Sequence, residues 1–127
     1  MKALIIDDSR TMRRIVTKIL ADLGYETFEA GDGQEALSVM ENEPGIGLCC
    51  IDWNMPVMDG LTFVKKVREV AEWRDVTLMM ITTESEHGQI VRALAAGAHE
   101  YVIKPFTPEA IAQKLELLGL LPVEETL

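Results

Sequence analysis

Five times along the chain a short apolar run gives way to a longer stretch of helical periodicity. That alternation constrains the fold more than any other feature. Strands that are apolar at consecutive positions must be covered on both faces, and helices between successive strands supply the cover. A parallel sheet with helices on both sides is the architecture that satisfies both demands.

The first run is Ala3-Leu4-Ile5-Ile6, followed at helical spacing by Met12, Ile15, Val16, Ile19, Leu20 and Leu23. Ser9 stands where an N-cap belongs and Gly24 where a C-terminal glycine belongs. Tyr25-Glu26-Thr27-Phe28-Glu29 alternates with period two, as a strand with one wet face does, which puts it at an edge. Asp32-Gly33 makes a turn before a short helix marked by Ala36, Leu37 and Met40. Leu48-Cys49-Cys50-Ile51 is the third strand and ends at Asp52. Asp59-Gly60 reads as a turn and cap before a helix with Leu61, Val64, Val67 and Val70 or Ala71 on one face. The fourth strand runs from Thr77 to Ile81 and leads into Thr82-Thr83-Glu84. A helix through Ile90, Val91, Leu94 and Ala95 follows, stopped by Gly97. The fifth strand, Glu100 to Ile103, ends at Lys104-Pro105, and the last helix carries Ile111, Leu115 and Leu118. Right-handed crossovers leave few topologies. The expected fold is α/β, a flavodoxin-like (βα)5 doubly wound sheet of strand order 2-1-3-4-5.

Composition narrows the function classes. At 127 residues the chain has the length of one domain, residues 1–127, with a core of about 2–118 and a short tail of 119–127. Asp plus Glu number 21 against 12 Lys plus Arg, a net charge of −9, which disfavours contact with nucleic-acid phosphates. The longest apolar runs are far short of the ~20 residues of a membrane span. The first residues reach two aspartates at positions 7 and 8, which does not fit a signal peptide. Cys49 and Cys50 are adjacent inside an apolar run and read as core residues, with no zinc-type spacing. A reducing cytoplasm is the expected location.

Ligands of open α/β sheets bind beyond the carboxyl ends of the strands, where strand order reverses. Asp7-Asp8 ends the first strand, Asp52 the third, Thr82 the fourth and Lys104 the fifth. The first and third strands are neighbours in this order, so Asp7, Asp8 and Asp52 should converge. Three close carboxylates repel, which calls for protonation or a cation. Mg²⁺ suits such oxygen ligands and readily adds phosphate oxygens. A carboxylate beside a metal, a lysine and a hydroxyl is suited to attack on phosphorus, giving an aspartyl phosphate.

The segments IIDDSRTMRRIV, CCIDWNMPVMDGL, MMITTE and GAHEYVIKPFT resemble, in order and spacing, the receiver domains of response regulators. Among these the chain is most similar to stand-alone chemotaxis regulators of the CheY type, themselves an established example of the 2-1-3-4-5 order. The resemblance covers about residues 2–118 and implies specific roles. Asp52 would be the phosphoacceptor. Asp7, Asp8 and Asp52 would bind Mg²⁺ together with the backbone carbonyl of Asn54. Lys104 would contact the phosphoryl group, across a cis Lys104-Pro105 peptide. Thr82 would be the switch hydroxyl and Tyr101 the aromatic ring that turns inward with it. Asn54, Thr83 and Glu84 would tune the lifetime of the phosphoryl group. Thr83 departs from the family, where a smaller residue is usual, and a β-branched side chain there would narrow access.

Read without the resemblance, Asp7-Asp8 is equally a helix cap, Lys104 a solvated surface lysine and Tyr101 a packing residue. His87 and His99 read as surface residues, the methionines as core filler, and Trp53 as a partly exposed ring. An aspartate-nucleophile phosphohydrolase would carry a second acid where Asn54 stands. A flavin or nucleotide binder would need a glycine-rich first loop that IDDSRT lacks. The expected function is that of a signalling receiver, not a turnover enzyme. It would catalyse only its own phosphorylation from a histidine kinase and its own dephosphorylation. The tail is too short for an effector domain, so output would come from protein–protein binding on the face of helix 4, strand 5 and helix 5. The resemblance implies the flagellar motor switch as the target of that face. The alternative is a single-domain phosphorelay shuttle or a regulator in a non-chemotaxis kinase pathway. No nucleic-acid or membrane partner is expected.

Overall fold

The structure is a computed structural model that describes residues 1–83 and 87–122, residue 87 by its backbone. The elements run β1 (Lys2–Ile6), α1 (Arg10–Asp22), β2 (Glu26–Ala30), α2 (Gly33–Asn42), β3 (Ile46–Ile51), α3 (Gly60–Arg68), β4 (Thr77–Thr82), α4 (His87–Ala96), β5 (Glu100–Ile103) and α5 (Pro108–Leu117). A 3₁₀ turn, Ala71–Trp73, separates α3 from β4. All strand pairs are parallel, in the order β2-β1-β3-β4-β5. This is the flavodoxin-like order expected from the sequence.

Strand residues divide by parity between two cores. Leu4, Ile6, Cys49, Ile51, Leu78 and Met80 pack with α2, α3 and α4 through Met40, Phe63, Val64, Val67 and Ala93. Ala3, Ile5, Leu48, Cys50, Met79 and Ile81 pack with α1 and α5 through Val16, Leu20, Ile111 and Leu115. The adjacent cysteines therefore enter opposite layers, and both thiols are free and buried. Double-sided burial explains the unbroken apolar runs. Each buried Leu, Ile or Phe contributes about 1.5–3 kcal/mol, so a polar residue on either face would be costly.

Several boundaries differ from the sequence reading. β3 begins at Ile46, two residues early, and β2 begins at Glu26, leaving Tyr25 outside it. Tyr25 is buried, and its hydroxyl donates to the Leu120 carbonyl at 2.9 Å. α3 stops at Arg68, so Val70 and Ala71 do not extend its apolar face; the chain turns extended at Val70 to make the 3₁₀ turn. Leu118 is the C-cap of α5 and not part of the helix. On α4 the inward position is Ala93, while Val91 and Leu94 are exposed, because a small side chain lets the helix lie close to the sheet. Trp53 is buried at 8% exposure, not partly exposed.

One arginine ties the lower ends of α3, β4 and β5 together. The Arg68 guanidinium donates to the carbonyls of Gly97, Trp73, Arg74 and Val76 at 2.9–3.4 Å. Gly97 has a φ of 121°, and a Cβ there would lie 2.7–2.8 Å from the arginine side chain. His99, exposed as expected, accepts the Leu78 N–H on Nδ1 at 3.1 Å beside the same guanidinium. Replacing Arg68 by Met leaves these carbonyls without their donor. We expect a loss of about 2–4 kcal/mol of stability by urea denaturation, against under 1 kcal/mol for the exposed Lys65→Met.

Candidate functional site

The carboxyl ends of β1, β3, β4 and β5 bring the chemistry together. Each ladder continues one residue past its strand: the Asp7 N–H donates to the Ala30 carbonyl at 3.1 Å, and the Asp52 N–H to the Ile6 carbonyl at 2.9 Å. The Lys104 N–H donates to the Thr82 carbonyl at 2.8 Å. These bonds place the side chains of three segments distant in sequence on one rim, as the residues that end each apolar run predict.

Asp7, Asp8 and Asp52 converge: one carboxylate oxygen from each lies within 4.8 Å of the others. Asp7 is buried, Asp52 is 9% exposed, and Asp8 faces solvent. Asp7 accepts the Ser9 N–H at 2.8 Å on one oxygen and the Lys104 ammonium at 3.1 Å on the other. The same ammonium reaches Asp52 at 3.4 Å. Lys104 is thus not a solvated surface lysine. The Lys104-Pro105 peptide is cis.

At an effective dielectric near 20, each carboxylate pair at this spacing repels by about 3–4 kcal/mol. Three carboxylates and one ammonium leave two negative charges within the cluster, which matches one divalent cation. Burial pushes the Asp52 carboxyl up to about 6, with the charges of Asp7 and Asp8 adding to the rise and Lys104 opposing it. The donor set is all oxygen, partly buried and open on the Asp8 side. It fits a hard cation that keeps water ligands, as Mg²⁺ does.

Gly60 has the steric role that its position hides in sequence. A Cβ there would collide with the Asp52 carbonyl oxygen and press on Met80 and the Trp53 backbone. Its N–H donates to the Trp53 carbonyl at 2.9 Å, and Asp59 caps α3 by accepting the Thr62 N–H at 2.8 Å. The start of α3 is therefore clamped against the end of β3, fixing the backbone that carries Asp52. In the loop between them, Val57 adopts a φ of 68°, a strained setting for a β-branched residue, and is exposed. Asn54 is exposed in the same loop.

Thr82 is buried at the end of β4, and Thr83 beside it is exposed. Glu84 lies outside the described residues, as does the side chain of His87. A narrow cavity beside Thr82 is lined by Trp53, Met80, Ala93, Glu100 and Tyr101. Tyr101 is half-buried at its rim. The Lys114 ammonium lies 5.0 Å over the Tyr101 ring and 3.1 Å from the Glu100 carboxylate. Neither Lys114 nor Glu100 carries a sequence signal for this contact, since each stands in an ordinary amphipathic pattern.

Such a fold, with an acidic cluster, a bridging lysine and a hydroxyl on adjacent strand ends, is that of receiver modules. Residues 3–116 match the response regulator receiver domain. The chain belongs to that family. It is 44% identical to chemotaxis protein CheY1 of Helicobacter pylori over 119 residues, covering 93% of this chain and 96% of that protein. It is 43% identical to the CheY homolog of Campylobacter jejuni over 117 residues, 91% and 90% of the two chains. The solved structure of chemotaxis protein CheY4 of Vibrio cholerae superposes with a TM-score of 0.85 at 37% identity, covering 91% of this chain and 96% of that one.

The raised carboxyl of Asp52 has a consequence for stability. Burial lifts it from the ordinary aspartate value of 3.8 to about 6, so between those pH values the folded state holds more protons than the unfolded one. Stability therefore falls as pH rises through this window. Without divalent cation, Asp52→Asn should be more stable than the native protein above pH ~7, by about 1–3 kcal/mol. The difference should shrink below pH ~6 and vanish near pH ~3.5. Urea denaturation across that range measures it.

Proposed function

We propose that this chain is a phospho-accepting response regulator of a two-component system, phosphorylated on Asp52. The observation that carries the reading is the sharing of one partly buried lysine, Lys104, by Asp7 and Asp52 inside the three-carboxylate cluster. In the proposed reaction an Asp52 carboxylate oxygen attacks the phosphorus of a histidine kinase's phosphohistidine. An O–P bond forms, the P–N bond breaks, and its electron pair stays on the imidazole nitrogen. Small donors such as acetyl phosphate serve by the same displacement, with acetate leaving. Hydrolysis of the acyl phosphate by water resets the protein. The protein turns over no other substrate.

Asp7, Asp8, Asp52 and the Asn54 carbonyl would hold Mg²⁺, which when bound supplies charge neutralisation at the phosphoryl oxygens. Lys104 moves with the reaction from a carboxylate partner to a phosphoryl partner, offsetting charge that develops there. Thr82 stands on the neighbouring strand end as hydroxyl donor. The added charge of about −1.5 to −2 biases a two-state element. Thr82 and Tyr101 are its members, coupled through the cavity they share with Trp53 and Ala93. Output is by protein binding on the face of α4, β5 and α5. That face carries the exposed apolar residues Val91, Leu94 and Ile103. The similarity to chemotaxis proteins favours the flagellar motor switch as the target and the cytoplasm as the location. Asn54, Thr83 and Glu84 are proposed to set the phosphoryl lifetime. No described helix is long and apolar enough to cross a membrane.

Incubation with acetyl phosphate and Mg²⁺ should add the mass of one phosphoryl group, mapped to the peptide containing Asp52. Asp52→Asn should add none; stoichiometric labelling of that variant at the same site would contradict the assignment. Thr83→Ala should speed both labelling and loss of label several-fold, read by stopped-flow fluorescence. Equal rates would remove Thr83 from the tuning set.

A further inference from the structure

The three carboxylates of the cluster are not held alike. Asp7 is fixed at four points: its N–H on the Ala30 carbonyl, its two carboxylate oxygens on the Ser9 N–H and the Lys104 ammonium, and its own carbonyl. Asp52 is held by Lys104 and by the β1–β3 ladder. Asp8 is exposed, and the side-chain hydrogen bonds that anchor the cluster go to its two neighbours. Where the Asp8 carboxylate sits therefore depends on its backbone, and above all on the peptide plane that joins it to Asp7.

That plane is held from a side chain of α1. The Arg13 guanidinium, one turn into α1, donates to the Asp7 carbonyl oxygen at 2.8 Å. Its Nε donates to the Glu29 carboxylate at 2.9 Å. The arginine is only 19% exposed, so it is a packed strut and not a solvated charge. Glu29 sits one residue before the end of β2, the strand that also receives the Asp7 N–H through Ala30. The fork thus ties α1, the β1 end and the β2 end into one rigid corner beneath Asp8. Planar guanidinium geometry suits this double contact, which a lysine cannot reproduce.

We propose that Arg13 is a positioning residue of the acidic site, oriented by Glu29, which sets the direction of the Asp8 carboxylate by fixing the Asp7–Asp8 peptide. The proposal rests on reading the cluster as a Mg²⁺ site. It distinguishes itself from a simple charge effect by sign. A cation near a metal site repels the metal, so deleting a charge that acted only through space would tighten Mg²⁺ binding. Deleting a strut that orients a ligand weakens it, typically by about 10-fold or more.

Calorimetric titration of the full chain with Mg²⁺ separates these cases. Arg13→Gln should weaken Mg²⁺ binding by roughly 10-fold. Glu29→Gln should weaken it in the same direction. The double variant should be no weaker than Arg13→Gln alone, because both act through one fork. Arg13→Lys should restore only part of the affinity. Arg14→Gln removes the same charge from an exposed neighbouring position and should leave affinity unchanged or slightly tighter. Unchanged or tighter binding by Arg13→Gln would overturn the proposal alone. A native protein that binds no Mg²⁺ would overturn the underlying reading, and the proposal with it. Should Arg13→Gln fold poorly by circular dichroism, Glu29→Gln carries the test: native affinity in that variant would overturn the role of the fork.

Discussion

Repulsion among Asp7, Asp8 and Asp52 is the constraint around which this molecule is arranged. Three carboxylates within 4.8 Å would not stay together on a flexible scaffold. They stay because two of them end strands of one parallel sheet, and because Lys104 from the fifth strand reaches both. The ammonium offsets part of the repulsion and leaves the rest. At Asp52, burial pushes the carboxyl up to about 6, with Lys104 opposing the rise and the charges of Asp7 and Asp8 adding to it. A site left under-neutralised in this way suits a divalent cation.

The scaffold must be stiff where the charges meet. Double-sided burial of β1, β3 and β4 supplies most of that stiffness, since a shift of one residue would turn each strand's side chains to the wrong layer. Gly60 lets α3 press against the end of β3, and Arg68 closes the opposite end of the sheet with hydrogen bonds to loop carbonyls. Around Thr82 and Tyr101 the packing is different. A narrow cavity lies there, with the half-buried Tyr101 ring and the Lys114–Glu100 ion pair at its rim. The acidic corner and this cavity sit on neighbouring strand ends of one sheet.

Much of this was legible in the chain. Five β–α units, the strand order, and the meeting of Asp7, Asp8, Asp52, Thr82 and Lys104 at one rim follow from apolar periodicity and from the residues that end each run. Element boundaries were less legible: Val70 has the right spacing for α3, but the chain turns before reaching it. Apolar spacing also misled on α4, where Ala93 faces the sheet and Val91 and Leu94 face out. Trp53 reads as a loop residue, yet it is buried because α3 folds back over it. Arg13, Arg68, Glu100 and Lys114 carried no signal. Their partners are backbone carbonyls or residues distant in sequence, and a cation on a polar helix face looks the same whether it is solvated or a strut.

The most direct test uses Trp53, buried beside Asp52, as the reporter. In a Trp73→Phe background it is the sole remaining tryptophan of the two. Its fluorescence is followed while Mg²⁺ and then beryllofluoride, a stable mimic of the aspartyl phosphate, are added. Two successive saturable changes, with the second lost in Asp52→Asn, are predicted. No change with either addition, or a beryllofluoride response that survives Asp52→Asn, would contradict the assignment of this cluster as the phospho-accepting site.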